Sequence, residues 1–450
     1  MPRRRCDACA LESADGAASD GWLTRGGATD PHADILESRI HRLLARAPWG
    51  PLVLVGAVSS MVAFGILGIG RAGASINFDM RFLFAAGRAW LDGRNPYVLG
   101  DLIAATPASL QLDFAAFHFG FAYPPQSSLL CMVLASAGWR LASISMVLLN
   151  VAAAVALAWG CCKLAALPPA QAEPATSPDR RAHQVVRWMV PALVVGNPFT
   201  HHVLFMGQTS LIAAALLVCG WYLVYGKESV WLGGALLGAT TFKPQIAALP
   251  ILFLLLNGRL RAGGVAALVS LLLAAPGLWI NGPAVSIRTW LEAVEVYQRG
   301  YVQVPGFQHV FNIRSLLASA NVEVPNLFPL ALAAVVALQL RRRYLAPGEI
   351  LGLIAASSFL FLYAHDYDLV ALSPLLGLLW FRTRVSTNLA VAFLLAVAAL
   401  FMPQRFLRGS VPAPVLHWRE CLTFGLALWL LVIVWSEHER SIAPAAAPEA

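Results

Sequence analysis

The sequence predicts an all-α fold, a polytopic bundle of membrane-spanning helices. Three observations carry that prediction. Hydrophobic residue types make up 58% of the 450 residues and charged types 12%, against about 25% charged in a soluble domain. Mean hydropathy is +0.66, more apolar surface than a water-soluble chain of this length can hide, so lipid must solvate much of it. Lys and Arg recur in every second turn between apolar runs, the bias that marks cytoplasmic loops. The net charge of +8 follows from that bias and is not a nucleic-acid footprint.

Residues 1–47 are polar and rich in Arg, Asp, Ala and Gly. With no apolar stretch before Pro48, they read as a disordered cytoplasmic tail without a cleavable leader. Residues 437–450 read as a second cytoplasmic tail, Ala/Pro-rich at its end. Between them, 48–436 form the membrane domain. The first uncharged run, 48–70, crosses outward, because seven Arg precede it. Residues 71–123 form a long external loop. The run 124–138 is too short to span, and reading it as a crossing would place the basic stretch 163–187 outside. We therefore read it as an interfacial or re-entrant helix opened by Pro124-Pro125. The run 141–162 then returns inward.

Further spans follow at 188–200, 208–225, 230–242, 246–256, 262–280, 326–340, 350–364, 369–381, 389–402 and 416–435. The turns holding Lys227, Arg259 and Arg261, Arg341 to Arg343, and Arg382 and Arg384 then share the cytoplasmic side. This gives 12 spans with both termini inside. No internal repeat is visible. Of seven cysteines, five lie in apolar runs as small hydrophobes. Cys6 and Cys9 form a lone C-x-x-C with His32 and His41 nearby, which is not a zinc-site spacing.

The same topology gathers the polar motifs on the external face. They are Asp79; Gly93-Arg94-Asn95-Pro96-Tyr97; Tyr123-Pro124-Pro125; Asn197-Pro198; Gly207-Gln208; Lys243-Pro244-Gln245; Gln308-His309-Val310-Phe311-Asn312; Arg314; and His365-Asp366-Tyr367-Asp368. Polar groups at the ends of apolar helices mark function more often than stability. Each also has a plainer reading. Asp79 can cap an amphipathic helix over 80–91 that lies on the outer leaflet, with Arg81 and Arg88 on one face. Lys243 can snorkel. His365, Asp366 and Asp368 can be turn and capping chemistry. Lys243 precedes a proline, which predicts a helix break there.

In order and spacing, Asp79, G-R-N-P-Y at 93–97, Y-P-P at 123–125, G-Q at 207–208 and K-P-Q at 243–245 resemble glycosyltransferase family 87, multispanning enzymes of the GT-C class. The resemblance runs from about 48 to 435. It implies an inverting transferase that moves a mannose-like hexose from a polyprenyl-phosphate donor, with no other cofactor and no metal. The acceptor would be a lipid or cell-envelope glycan outside the plasma membrane. In such enzymes the catalytic carboxylate follows the first span, the position of Asp79. The loop holds one Asp there rather than the Asp-Glu pair of some GT-C relatives, and the 365–368 group has no assigned family role.

The residues support the same chemistry by themselves. An inverting transfer needs a base for the acceptor hydroxyl, which Asp79 supplies, and a stabiliser for the leaving phosphate. Lys243 and Arg314 are candidates for the second task. Gln245, Gln208, His309, Asn95, Tyr97, His365, Asp366 and Asp368 are candidate substrate contacts. There is no Gly-rich phosphate loop. Two other readings stay open at this point: a secondary transporter, and a non-catalytic flippase or assembly partner of an envelope glycan system.

Overall fold

The computed structural model describes residues 49–71, 78–110, 120–167, 180–300, 304–384 and 386–442. The expected N-terminal tail with its C-x-x-C pair, the residues after Ile442 and the middle of the 163–187 loop lie outside the described residues; residues 437–442, expected as the start of the second tail, continue the last helix instead. Among the described residues the fold is all-α apart from one two-residue strand pair.

The first helix, α1 (Trp49–Ala63), continues into a wider π-helical stretch, Phe64–Gly70. Then come α2 (Phe78–Leu91) and α3 (Leu99–Ala105). Pro125–Ser127 makes one 3₁₀ turn and leads into α4 (Ser128–Ser136). At about 1.5 Å per residue, α4 rises roughly half the thickness of a hydrocarbon core. It packs on α2. The next helix, α5 (Trp139–Ala165), is long enough to span.

The expected single span 188–200 is instead two helices, α6 (Arg180–Val195) and α7 (Pro198–Met206). The break has a local cause: the Asn197 side chain accepts from Phe199 N, and Pro198 opens the new helix. Then follow α8 (Ser210–Gly226), α9 (Val230–Ala239), α10 (Pro244–Leu256) and α11 (Leu260–Asn281). Next is α12 (Pro283–Arg299), an amphipathic helix that the span pattern does not announce. The short α13 (Ile313–Ser319) precedes α14 (Phe328–Arg341) and α15 (Pro347–Phe361). The bundle closes with α16 (Ser373–Thr383), α17 (Thr387–Phe401) and α18 (Trp418–Ile442). Two strands, β1 (Val310–Phe311) and β2 (Ala364–His365), pair antiparallel with Val310 opposite His365.

Among the described residues, three helices are long and apolar enough to cross a membrane: α5, α11 and the stretch Ala413–Ser436 that contains most of α18. Six shorter apolar helices accompany them. Their outward faces are apolar. Leu148, Val155 and Leu271 are each about 60% exposed, which is the pattern of a surface solvated by lipid rather than water.

The chain's ends of helices sort by chemistry. Gly348 at the start of α15 lies against the carbonyl of Leu164 at the end of α5. Trp221 near the end of α8 donates to Pro347 O at 2.8 Å, and Asn257 after α10 donates to Tyr225 Oη at 2.9 Å. Gln339 in α14 donates to Leu256 O at 2.9 Å. These contacts bring Lys163, Lys227, Arg259, Arg341 to Arg343 and Arg382 to one end of the bundle.

Two cores form. The larger runs from Phe64 through α5 to α11 and α14 to α18. The smaller joins α2, Tyr97, Phe121, α4 and the start of α5. This corrects one expectation: α2 is not laid on a leaflet with one face free. Met80, Leu83, Ala86 and Trp90 are buried, and Gly87 sits so close to the Cys131 carbonyl that a Cβ there would overlap it at 2.0 Å. The sequence showed the apolar bulk of this helix but not that a second short helix covers it.

Candidate active site

The end of the bundle opposite the basic turns contains a cavity of about 380 Å³, within the range of small-molecule pockets. Asp79, Tyr123, Gln208, Lys243, Gln245 and His365 supply its polar groups, together with Tyr297 and Gln298 of α12. Phe82, Phe121, Phe242, Trp290, Val294 and Leu362 supply apolar wall.

Each polar group is placed by a local device. Asp79 is in the first turn of α2 and faces inward, where its carboxylate accepts a hydrogen bond from Gln208 Nε2. Gln208 Oε1 in turn accepts from Tyr123 Oη. Gln208 reaches this point because Gly207 ends α7 in the left-handed conformation, φ 65°, which a glycine adopts without cost. Asn150 of α5, fully buried, holds the Gln208 carbonyl at 3.0 Å. Lys243 stands at the break between α9 and α10, where Pro244 begins the new helix. The predicted break is therefore present, and it turns the lysine into the protein rather than outward to snorkel; the residue is 3% exposed.

Beneath the cavity, Asp368 organises four donors. Its Oδ1 accepts from Ser210 Oγ at 2.6 Å and from Lys243 Nζ at 3.3 Å. Its Oδ2 accepts from Gln245 Nε2 at 3.2 Å and from His365 N at 3.1 Å. The Lys243 ammonium also stands over the rings of Tyr123 at 5.0 Å and Tyr367 at 5.1 Å, an arrangement that favours the cation. Burial alone would lower the lysine, but Asp368 and Tyr123 lift it above its ordinary value. Burial likewise opposes ionisation of Asp368, and the Lys243 charge, His365 and the Ser210 bond pull it below the usual carboxylate range. Asp79 goes the other way. Desolvation raises it, and the Gln208 bond and the Lys243 charge only partly offset that. Burial thus leaves Asp79 more basic than an ordinary carboxylate.

His365 connects the cavity to a second cluster. Burial holds its imidazole down at about 4, so it is neutral near pH 7. Its Nδ1 faces the His309 carbonyl at 3.3 Å and its Nε2 faces Tyr297 Oη at 2.7 Å. The first contact requires a proton on Nδ1, leaving Nε2 to accept from the tyrosine. The β1–β2 pair sets His309 beside Asp366, with Nδ1 to Oδ2 at 3.2 Å. His202 and Arg419 approach the same carboxylate at 3.8 Å each. Burial would raise Asp366, but the His309 bond and the nearby charges hold it at about 2.

The structure thus brings Asp79, Gln208, Lys243, Gln245 and His365 to one cavity and puts Asp368 directly under Lys243. Asp366 and His309 form the adjoining cluster. The remaining three candidates lie elsewhere. Asn95 shapes its own turn, accepting from Tyr97 N at 3.1 Å and donating to Thr289 at 3.1 Å. Tyr97 packs between Trp90 and Phe121. Arg314 is exposed on α13 and does not line the cavity. Sequence reasoning missed Trp290 and Tyr297. A signal existed: 290, 293, 294 and 297 make an apolar stripe opposite the pairs Arg288–Glu292 and Glu295–Arg299. It also missed Arg419, which stands in the His417-Trp418-Arg419-Glu420 run at the start of the last apolar span. Among the described residues no group of three His, Cys, Asp or Glu is arranged to hold a metal ion.

The described residues thus form an all-α bundle of apolar helices in which a carboxylate and a buried ammonium face one mostly apolar cavity. The family model of glycosyltransferase family 87 matches residues 121–407, well over half of the chain, and the chain belongs to that family. It is a glycosyltransferase, which sets aside the transporter and flippase readings. The matched segment includes Tyr123, Gln208, Lys243 and the 365–368 group and begins after Asp79. Comparison with curated proteins and with solved structures found no match.

Proposed function

We propose that this glycosyltransferase moves a hexose, mannose-like, with inversion from a polyprenyl-phosphate donor to a lipid or cell-envelope glycan acceptor, and that it does so outside the plasma membrane. The observation that carries the reading is the cavity itself. A base and a fixed cation face one apolar-walled space at the membrane edge, where a prenyl-phosphate headgroup lies. If the gathered basic turns face the cytoplasm, the site lies outside and both tails inside.

In this mechanism the acceptor hydroxyl attacks the anomeric carbon from the face opposite the phosphate. Its proton passes to an Asp79 carboxylate oxygen as the new C–O bond forms. The bond from the anomeric carbon to the phosphate oxygen breaks, and its electron pair leaves with the polyprenyl phosphate. Gln208 orients Asp79, since its Oε1 is already committed to Tyr123 and its amide N–H must therefore point at the carboxylate. Burial makes Asp79 a stronger base than a solvated carboxylate. Lys243 supplies positive charge toward the leaving phosphate, and Asp368 keeps that charge in place. Gln245, His365 and Tyr297 are positioned to contact the sugar or phosphate. The lipid-linked donor is itself a substrate, and the proposed reaction draws on no further cofactor.

The test is turnover of a polyprenyl-phosphate mannose by purified wild type, Asp79→Asn and Asp79→Ala in nanodiscs with a lipid acceptor. Asp79→Asn keeps the shape and the Gln208 contact, so it should fold like wild type and lose about 10²–10⁴-fold in rate. An active Asp79→Asn enzyme would remove Asp79 from the base role and direct attention to Asp366 and Asp368.

A further inference from the structure

A second cavity, about 720 Å³, opens between α14, α15 and α18. Its long wall is apolar, with Ala337, Leu353, Leu360, Leu428 and Leu431 among its residues. Apart from Ser357, its polar groups collect at one end, where Arg341, Tyr344, Trp435 and Ser436 stand. The Arg341 guanidinium lies over the Trp435 ring at 5.3 Å, and Arg343 over Tyr344 at 4.6 Å. Arg341, Arg342 and Arg343 are all exposed. The groove therefore has an apolar trough, an aromatic collar and a cationic mouth, in that order.

This sequence of surfaces matches an amphiphile. Aromatic residues mark the level of the headgroups, and a cluster of Arg at that level attracts anionic lipids. The trough follows α15 from Leu353 to Phe361, a rise of about 12 Å, comparable to most of one leaflet's hydrocarbon half. The occupant is not the sugar donor in its reactive pose. Leu362 and Tyr363, which line the Asp79 cavity, follow the opposite end of α15. A lipid whose phosphate sits at Arg341 thus presents its headgroup at the far end of the bundle from Lys243.

We infer that this groove is a binding site for an anionic glycerophospholipid, its acyl chains in the trough and its phosphate at Arg341 to Arg343. The orientation in the proposed function makes this the cytoplasmic leaflet. The headgroup preference itself holds in either orientation, and its measurement needs no turnover, so it stands or fails separately from the catalytic reading.

The test uses the full chain in nanodiscs with photoactivatable phosphatidylglycerol or photoactivatable phosphatidylcholine, the crosslinks mapped by mass spectrometry. The glycerol probe should label 337–361 and 424–436 several-fold more than the choline probe. Unlabelled phosphatidylglycerol should compete, and inorganic phosphate should not. Replacing Arg341, Arg342 and Arg343 together by Gln should erase the preference. Ala337→Trp, at an exposed groove position, should block both probes without touching the charges, and it serves if the triple variant fails to fold. Equal labelling by both probes, preference surviving the triple replacement, or displacement by polyprenyl phosphate but not by phosphatidylglycerol would each overturn the inference. The first two outcomes would mean ordinary annular lipid, and the last would give the groove to the donor's tail.

Discussion

Asp368 is the residue whose replacement tests the architecture most directly. It is fully buried, and it balances a lysine only 3% exposed. At a 3.3 Å separation and an effective dielectric near 20, their attraction is about 5 kcal/mol. Asp368→Asn removes that attraction and keeps nearly the same volume. It also creates a conflict, because both carboxylate oxygens accept from donors: Ser210 and Lys243 on one, Gln245 and the His365 amide on the other. Whichever way the new amide turns, its NH₂ faces a donor. Leaving the Lys243 charge buried and unbalanced should cost about 3–5 kcal/mol. The assay is denaturant unfolding in mixed micelles, run on wild type, Asp368→Asn, Lys243→Met and the double variant. The double variant should recover much of the loss, so that the single effects do not add. If Asp368→Asn unfolds like wild type, or if the two replacements add independently, Asp368 is not what holds Lys243 and the account of the cavity floor is wrong.

Three further outcomes are expected. Lys243→Ala should raise the apparent KM for the lipid donor or abolish turnover, whereas Lys243→Arg should keep part of it, since charge remains but geometry changes; unchanged kinetics in the alanine variant would leave Lys243 a purely structural cation. The pH profile of kcat/KM should show an acid limb above the ordinary carboxylate value of about 3.9. The sign follows from burial raising Asp79: as pH falls through that raised value the base becomes protonated and activity drops, and a flat profile down to ordinary carboxylate titration would contradict it. Gly87→Ala should destabilise by about 1–3 kcal/mol and lower turnover, because the added methyl meets the Cys131 backbone and pushes α2, with Asp79, off α4. Thermal unfolding of that variant unchanged from wild type would show that the two helices part freely.

Legibility in the sequence followed the range of the interaction involved. Helix breaks at Asn197-Pro198 and Lys243-Pro244 are local events, and the second was readable because proline restricts its neighbour. The first was read through as one span because apolar content on both sides masked the cap. The pairing of His309 with Asp366 was not readable, since it depends on two-residue strands 54 positions apart, too short to leave a pattern. Asn95 and Tyr97 looked like site residues from their motif; the structure uses them to shape a turn and fill the smaller core.

By itself the sequence determined the membrane class, the alternation of basic turns and the set of polar residues at the other helix ends. Those properties come from hydropathy, chain parity and single-residue backbone preferences, and each is written within about 20 residues of chain. Only the tertiary structure decided which polar ends share a cavity, that α12 closes it with Tyr297, and that Lys243 is balanced by Asp368. It also showed that desolvation lifts the Asp79 carboxyl above its ordinary value. The reason is physical: desolvation and charge pairing depend on which atoms lie within a few ångströms, and in this bundle those atoms come from helices more than a hundred residues apart.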